Sequence, residues 1–298
     1  METENAKNIS IQQHYLRIKK ILALILILNW AVALAKIIYG FISRCESMTA
    51  DGFHSLSDGA SNIIGIVGIH FACQPKDKDH PYGHKKYETF FSLGIAVLLF
   101  ILSFNLAKEG IHHLWQAPEI PRVSIFSFII MLATMAINFI VMRYEHKKGK
   151  ELKSDILLSD SIHTKADIFT SLSVIIALIV IKLGYPILDP IATILISCFI
   201  AFAGYSIVKE SSAVLCDTAM ILDDKKISGI VLGIPGVKAC HKIRTRGRPD
   251  DINVDLHVQV DPDMHIDDAH NISFKIEGAI KQGIPEVTDV VVHMEPKD

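Results

Sequence analysis

The chain has 298 residues, of which 50% are hydrophobic and 21% charged, with a formal net charge of -2 and a mean hydropathy of +0.35. It is too apolar for an ordinary soluble domain and too long for membrane spans alone, so a membrane part joined to one soluble part is expected. The net charge says nothing about a nucleic-acid partner, and no basic stripe interleaved with aromatics appears in the soluble part, so no such partner is expected. The cysteines Cys45, Cys73, Cys198, Cys216 and Cys240 are scattered and form no C-x2-C pair. They read as small apolar packers, not as a disulfide framework or a thiolate zinc cage.

In chain order, residues 1–20 form a polar N-terminal segment, and six apolar runs follow at 21–43, 47–73, 89–111, 122–143, 155–182 and 186–208. Each is close to or above the ~20 residues that a bilayer requires. The first run follows Arg17, Lys19 and Lys20 as a signal peptide would, but it is too long and lacks a small-residue cleavage site, so it is expected to be retained. Basic residues cluster before run one (Lys7, Arg17, Lys19, Lys20), between runs two and three (Lys76, Lys78, Lys85, Lys86) and between runs four and five (Arg143, Lys147, Lys148, Lys150, Lys153). The opposite connections carry little beyond Arg44 and Arg122. By the positive-inside rule both termini face the cytoplasm. The domains expected are therefore a cytoplasmic segment 1–20, a six-helix transmembrane bundle 21–208 and a cytoplasmic domain 209–298.

One pattern is written twice, Asp51-x2-His54-x3-Asp58 and Asp160-x2-His163-x3-Asp167, near the start of runs two and five. On a helix, residues four apart share a face about one turn, roughly 5.4 Å, apart along the axis, so each helix offers two ligands to one point. An Asp at the centre of a membrane helix costs about 2.5–3.5 kcal/mol on the insertion scale, and a divalent cation is the simplest compensator. Two His and two Asp supply four N/O ligands for a tetrahedral site, which suits Zn2+ and not Ca2+ or Mg2+. Asp51 and Asp160, one turn earlier, read either as carboxylates supporting or leading to the ligands or as helix caps.

The soluble tail alternates. A short helix is expected over 224–232, strands over 238–246 and 252–260 joined through Gly247-Arg248-Pro249-Asp250, an amphipathic helix over 266–282 and a last strand over 287–294. The order αββαβ implies a small open-faced α+β sandwich. So small a core makes oligomerisation or bound metal an expected source of stability.

These residues resemble the cation diffusion facilitator family of proton-coupled zinc transporters, over nearly the whole chain from Arg17 to Pro296. The resemblance is carried by the doubled pattern, by Gln74-Pro75 with Asp77 and the run His80-Pro81-Tyr82-Gly83-His84, and by His241-Lys242-Ile243-Arg244-Thr245-Arg246. It implies a homodimer, six spans per protomer, a transport site between spans two and five at His54, Asp58, His163 and Asp167, and a copper-chaperone-like cytoplasmic domain. It further implies a loop metal site at Asp77, His80 and His84 and a two-metal tail site at His241, His257, His270 and His293, with Glu295 where an Asp is frequent. His265 is an extra, surface histidine. Lys86 and Asp217 match a charge pair that links the membrane part to the tail.

A histidine at position 54, where one bacterial branch has Asp, resembles the zinc-preferring branch; Co2+, Cd2+ and Fe2+ are the alternative cargoes. The implied activity is export of Zn2+ from the cytoplasm in exchange for protons by alternating access. The membrane is a bacterial inner membrane or an intracellular one, with membrane lipid as the surrounding partner. A metal sensor or scaffold that does not transport is the alternative. An intramembrane metalloenzyme is disfavoured, since the sequence has no H-E-x2-H block.

Overall fold

The computed structural model describes residues 2–43, 46–115, 125–182, 188–220 and 224–297 and divides into two units, Met1–Ser211 and Ser212–Asp298. The first unit is built from six long helices: α1 (Glu2–Ser43), α2 (Glu46–Ala72), α3 (Lys86–Trp115), α4 (Ile125–Leu152), α5 (Asp155–Lys182) and α6 (Leu188–Leu215), whose last turn runs into the second unit. No Gly or Pro interrupts residues 2–39, so the segment expected to stand before the first span instead begins α1. Its Tyr15 and Ile18 are buried with Leu22, Ile69, Ala72, Ile95, Ile156 and Leu157, a core drawn from α1, α2, α3 and α5.

Among the described residues three helices are long and apolar enough to cross a membrane, Gln12–Ile38, Lys86–Trp115 and Thr193–Leu215. Helices α2 and α5 carry the polar residues of the doubled pattern, which lowers their hydropathy, and some side chains of α4 and α5 lie outside the described residues.

Small residues let α2 approach its neighbours closely. A Cβ built on Gly68 would lie 2.6 Å from Phe91 Cβ and 2.7 Å from Ile156 Cδ1, so only glycine permits α2 to pack this tightly on α3 and α5. The start of α5 is fixed just as specifically. Ser154 Oγ accepts the amide of Leu157 at 3.3 Å as the helix N-cap, and its hydroxyl donates to Glu88 Oε1 of α3 at 2.5 Å. Glu88 Oε1 also accepts the Ile156 amide at 3.4 Å. Both Glu88 and Ser154 are fully buried.

The second unit contains α7 (Asp224–Leu232), β1 (Ala239–Arg248), β2 (Asp251–Val260), α8 (Ile266–Gly283) and β3 (Val287–Pro296), in the αββαβ order read from the alternation. The sheet order is β1-β2-β3, antiparallel then parallel. Ile252, Val254, Leu256, Val258 and Val260 point to the face covered by α7 and α8, where Ile227, Val231, Ile272, Ile276 and Ile280 close the core. The expected hairpin at 247–250 is shorter, because β1 continues through Arg248, paired with Asp251, and its buried guanidinium donates to Asp250 Oδ1 at 3.0 Å.

Candidate metal sites

Among the described residues, three groups of His and carboxylate side chains have ligand atoms lying within 4.8 Å of one another: Asp58, His163 and Asp167; Asp77, His80 and His84; and His241, His257 and Glu295. In the first, Asp58 comes from α2 and the other two from α5, one helical turn apart. The fourth expected residue, His54, lies on α2 one turn before Asp58, but its side chain lies outside the described residues, as does that of Asp51.

Asp58, His163 and Asp167 line a cavity of about 20 Å³ together with Asn29, Lys36, Ser55, Ser61, Thr134, Asn138 and Thr164. A water needs roughly 10–15 Å³ measured in this way, so the space matches one water or one bare ion in size. Two carboxylates and an imidazole are a donor set that Zn2+ and neighbouring first-row ions accept.

Asp160 is not a helix cap, since α5 starts at Asp155 with Ser154 as its cap. It is buried and accepts a hydrogen bond from Asn62 of α2, which ties the two ligand-bearing helices together beside the site. Glu145 of α4 is also buried and accepts the Thr164 hydroxyl at 2.9 Å. The spacing pattern does not include Asn62, Lys36 or Glu145; for Asn62 and Lys36 a polar or ionisable residue within an apolar run is itself the signal, whereas Glu145 lies beyond the fourth run.

In the loop group, the Asp77 carboxylate sits between two histidines, with Oδ1 3.3 Å from His80 Nδ1 and Oδ2 3.3 Å from His84 Nε2. The His80 amide donates to Oδ1 at 2.6 Å, and this backbone bond, more than the histidines, holds the Asp77 carboxyl below its ordinary range. Gly83, with φ of 93°, turns the chain so that His84 comes back onto the group. His84 is buried and half-exposed Asp77 faces solvent, so this group is open on one side.

In the tail, the ladder registers His241 opposite His257 and His257 beside His293, so three histidines form a row across the sheet on the face away from α8. Glu295 lies two residues beyond His293 on the same face. Its Oε1 is 2.9 Å from His241 Nε2 and its Oε2 is 3.1 Å from His257 Nδ1. The His257 contact is the main cause holding the Glu295 carboxyl below its ordinary value. The His257 and His293 rings lie 4.5 Å apart, although His293 is exposed and outside the three-ligand group. His270 is on the exposed side of α8, against Phe274, and this chain does not bring it to the other histidines. The physical reason is that α8 covers the opposite face of the sheet. His265 has a local role, accepting the Asp267 amide at Nδ1 as the N-cap of α8.

An apolar helical unit enclosing carboxylates and imidazole, joined to a small sheet that carries histidines, defines an integral membrane protein that handles metal ions. Residues 22–216 match the cation efflux transmembrane domain and residues 222–297 the cation efflux protein cytoplasmic domain, and the chain belongs to the cation diffusion facilitator family. It is a transporter of divalent metal cations, not an enzyme.

Its relatives include an uncharacterized transporter of Methanocaldococcus jannaschii, 29% identical over 94% of this chain and 99% of that one. The manganese efflux system protein MneS of Bacillus subtilis is 31% identical over 88% of this chain and 89% of its own. Metal tolerance protein C1 of Arabidopsis thaliana is 28% identical over 93% of this chain and 62% of its own. Among solved structures, the metal-bound C-terminal domain of the CzcD transporter from Thermotoga maritima is 26% identical and covers 24% of this chain and 84% of that one, with a TM-score of 0.23.

Proposed function

We propose that the protein is a Zn2+/H+ antiporter that exports Zn2+ from the cytoplasm, working as a homodimer with six spans per protomer and both termini cytoplasmic. The observation that carries this reading is the convergence of Asp58, His163 and Asp167 within 4.8 Å around a cavity sized for one ion. His54, on the same helix as Asp58, is the fourth ligand.

Coupling follows from competition at one set of ligands. A histidine must be deprotonated to bind metal, and its reference pKa is near 6.5, so metal and protons exclude one another over the physiological range. With the site open to the cytoplasm Zn2+ binds; with it open outward, protons from the more acidic side displace the ion and the protonated site returns.

The loop group at Asp77, His80 and His84 captures metal at the cytoplasmic surface. The tail group at His241, His257 and Glu295, with His293 beside it and His270 supplied by the second protomer, binds metal that draws the two tail domains together and raises activity when metal is plentiful.

Uptake of labelled Zn2+ into proteoliposomes against an imposed proton gradient tests the reading, because a sensor or scaffold moves no ion. A second reading is supported by a particular relative: MneS, at 31% identity, is named for manganese efflux. Competition of Mn2+ against Zn2+ in the same vesicles separates the two cargoes.

A further inference from the structure

Helix α1 brings a lysine into the cavity that holds the metal ligands. Lys36 is only 7% exposed. Its Nζ donates to Ser55 Oγ of α2 at 2.9 Å, three residues from Asp58 toward the α1–α2 connection. Lys36 and Ser55 line the same cavity as Asp58, His163 and Asp167. The ammonium is therefore turned inward at the carboxylates, not outward along the helix to the membrane surface, where a long basic side chain ordinarily rests.

We infer that Lys36 is a resident cation that sets how tightly the transport site holds its cargo, and that it speeds release by opposing the bound ion. This rests on the proposed transport site. Asp58 and Asp167 contribute two negative charges to the cavity and Lys36 one positive charge, with His163 neutral when it ligates. The group carries about one net negative charge when empty and one net positive charge when a dication is bound. Without Lys36 the same arithmetic runs from two negative charges to neutrality, which favours the filled state.

Lys36 is almost fully buried, so water screens its repulsion of a like charge in the same cavity less than it would at an exposed surface. The space is about 20 Å³, so an ion bound there lies close to the ammonium. A transporter gains from such opposition, because an ion held too firmly is not released. The Ser55 hydroxyl accepts from the ammonium at 2.9 Å and holds it in the cavity.

The test uses the full-length protein, purified in detergent for Zn2+ calorimetry and reconstituted for Zn2+ flux. Lys36→Gln removes the charge and keeps a polar end for Ser55; Lys36→Met is a second neutral variant should the first fail to fold; Lys36→Arg keeps the charge. The neutral variants are expected to bind Zn2+ roughly tenfold or more tightly, with KM and kcat both lowered, while Lys36→Arg restores weaker binding. A structural role alone would weaken binding or leave KM unmoved. Unchanged affinity in a folded neutral variant, or looser binding, overturns the inference. Asp167→Ala in parallel keeps the failures distinct: undiminished flux in that variant removes the transport-site assignment itself, whereas lost flux there with no effect at Lys36 removes only the role of Lys36.

Discussion

Glu88 of α3 accepts the Ser154 hydroxyl at 2.5 Å, and Ser154 in turn caps α5 nine residues before His163. The carboxylate that anchors the helix and the imidazole proposed to bind the ion thus belong to one rigid arrangement. Removing Glu88 leaves a buried hydroxyl and the Ile156 amide without their partner, at a cost of about 2–3 kcal/mol. Glu88→Ala is expected to lower the melting temperature in detergent and to weaken metal binding through misplacement of α5, with Glu88→Gln intermediate. An unaltered melting temperature for Glu88→Ala would show that this contact does not hold α5.

Asp58→Ala or Asp167→Ala is expected to abolish Zn2+ flux in a folded, membrane-inserted protein. Each loses a ligand and a negative charge from a group of three whose ligand atoms lie within 4.8 Å of one another. Flux assays on reconstituted variants check this, and normal transport by Asp167→Ala would refute the assignment.

His54→Asp is expected to broaden selectivity toward Mn2+ or Cd2+, because an oxygen donor replaces a nitrogen donor. The measurement is competition of each ion against Zn2+ uptake. An unchanged preference would mean that position 54 does not select the cargo.

In the tail, Zn2+ is expected to raise the melting temperature of residues 221–298 expressed alone, since binding to the native form stabilises it by mass action. His257→Ala should remove most of the shift, because His257 lies between His241 and His293 and contacts Glu295. The affinity should fall on acidification, since metal and protons compete for the imidazole nitrogens. Calorimetry that finds no binding at neutral pH would end the regulatory part of the proposal.

Glu295 gives a separate pH signature in the metal-free tail. Its folded-state pKa is lowered, first by the His257 contact. A lowered carboxylate contributes stability that is fully present above its unfolded value of about 4.5 and is lost as pH falls through the folded value. Glu295→Gln is expected to flatten this acid limb of the stability curve relative to the parent protein. Identical limbs in the two proteins would show that the Glu295 contacts do not persist in solution.

Much of this was legible in the chain because it depends on local periodicity. The four-residue spacings of His54 with Asp58 and of His163 with Asp167 place each pair on one helix face whatever the helix packs against. The alternation of Ile252, Val254, Leu256, Val258 and Val260 likewise separates a core face from a histidine face. The loop group was readable for the same reason, its three residues lying within eight positions.

Tertiary structure decided what joins separate elements. It brings Lys36 of α1 into the cavity between α2 and α5, ties Asn62 to Asp160, and places Glu295 between His241 and His257. It also puts His270 behind the sheet, away from the histidines with which the family resemblance groups it. Spacing along a helix or strand is set by backbone geometry and can be read from order alone. Distances between elements depend on where small residues such as Gly68 allow close approach, and on which side chains fill the remaining space.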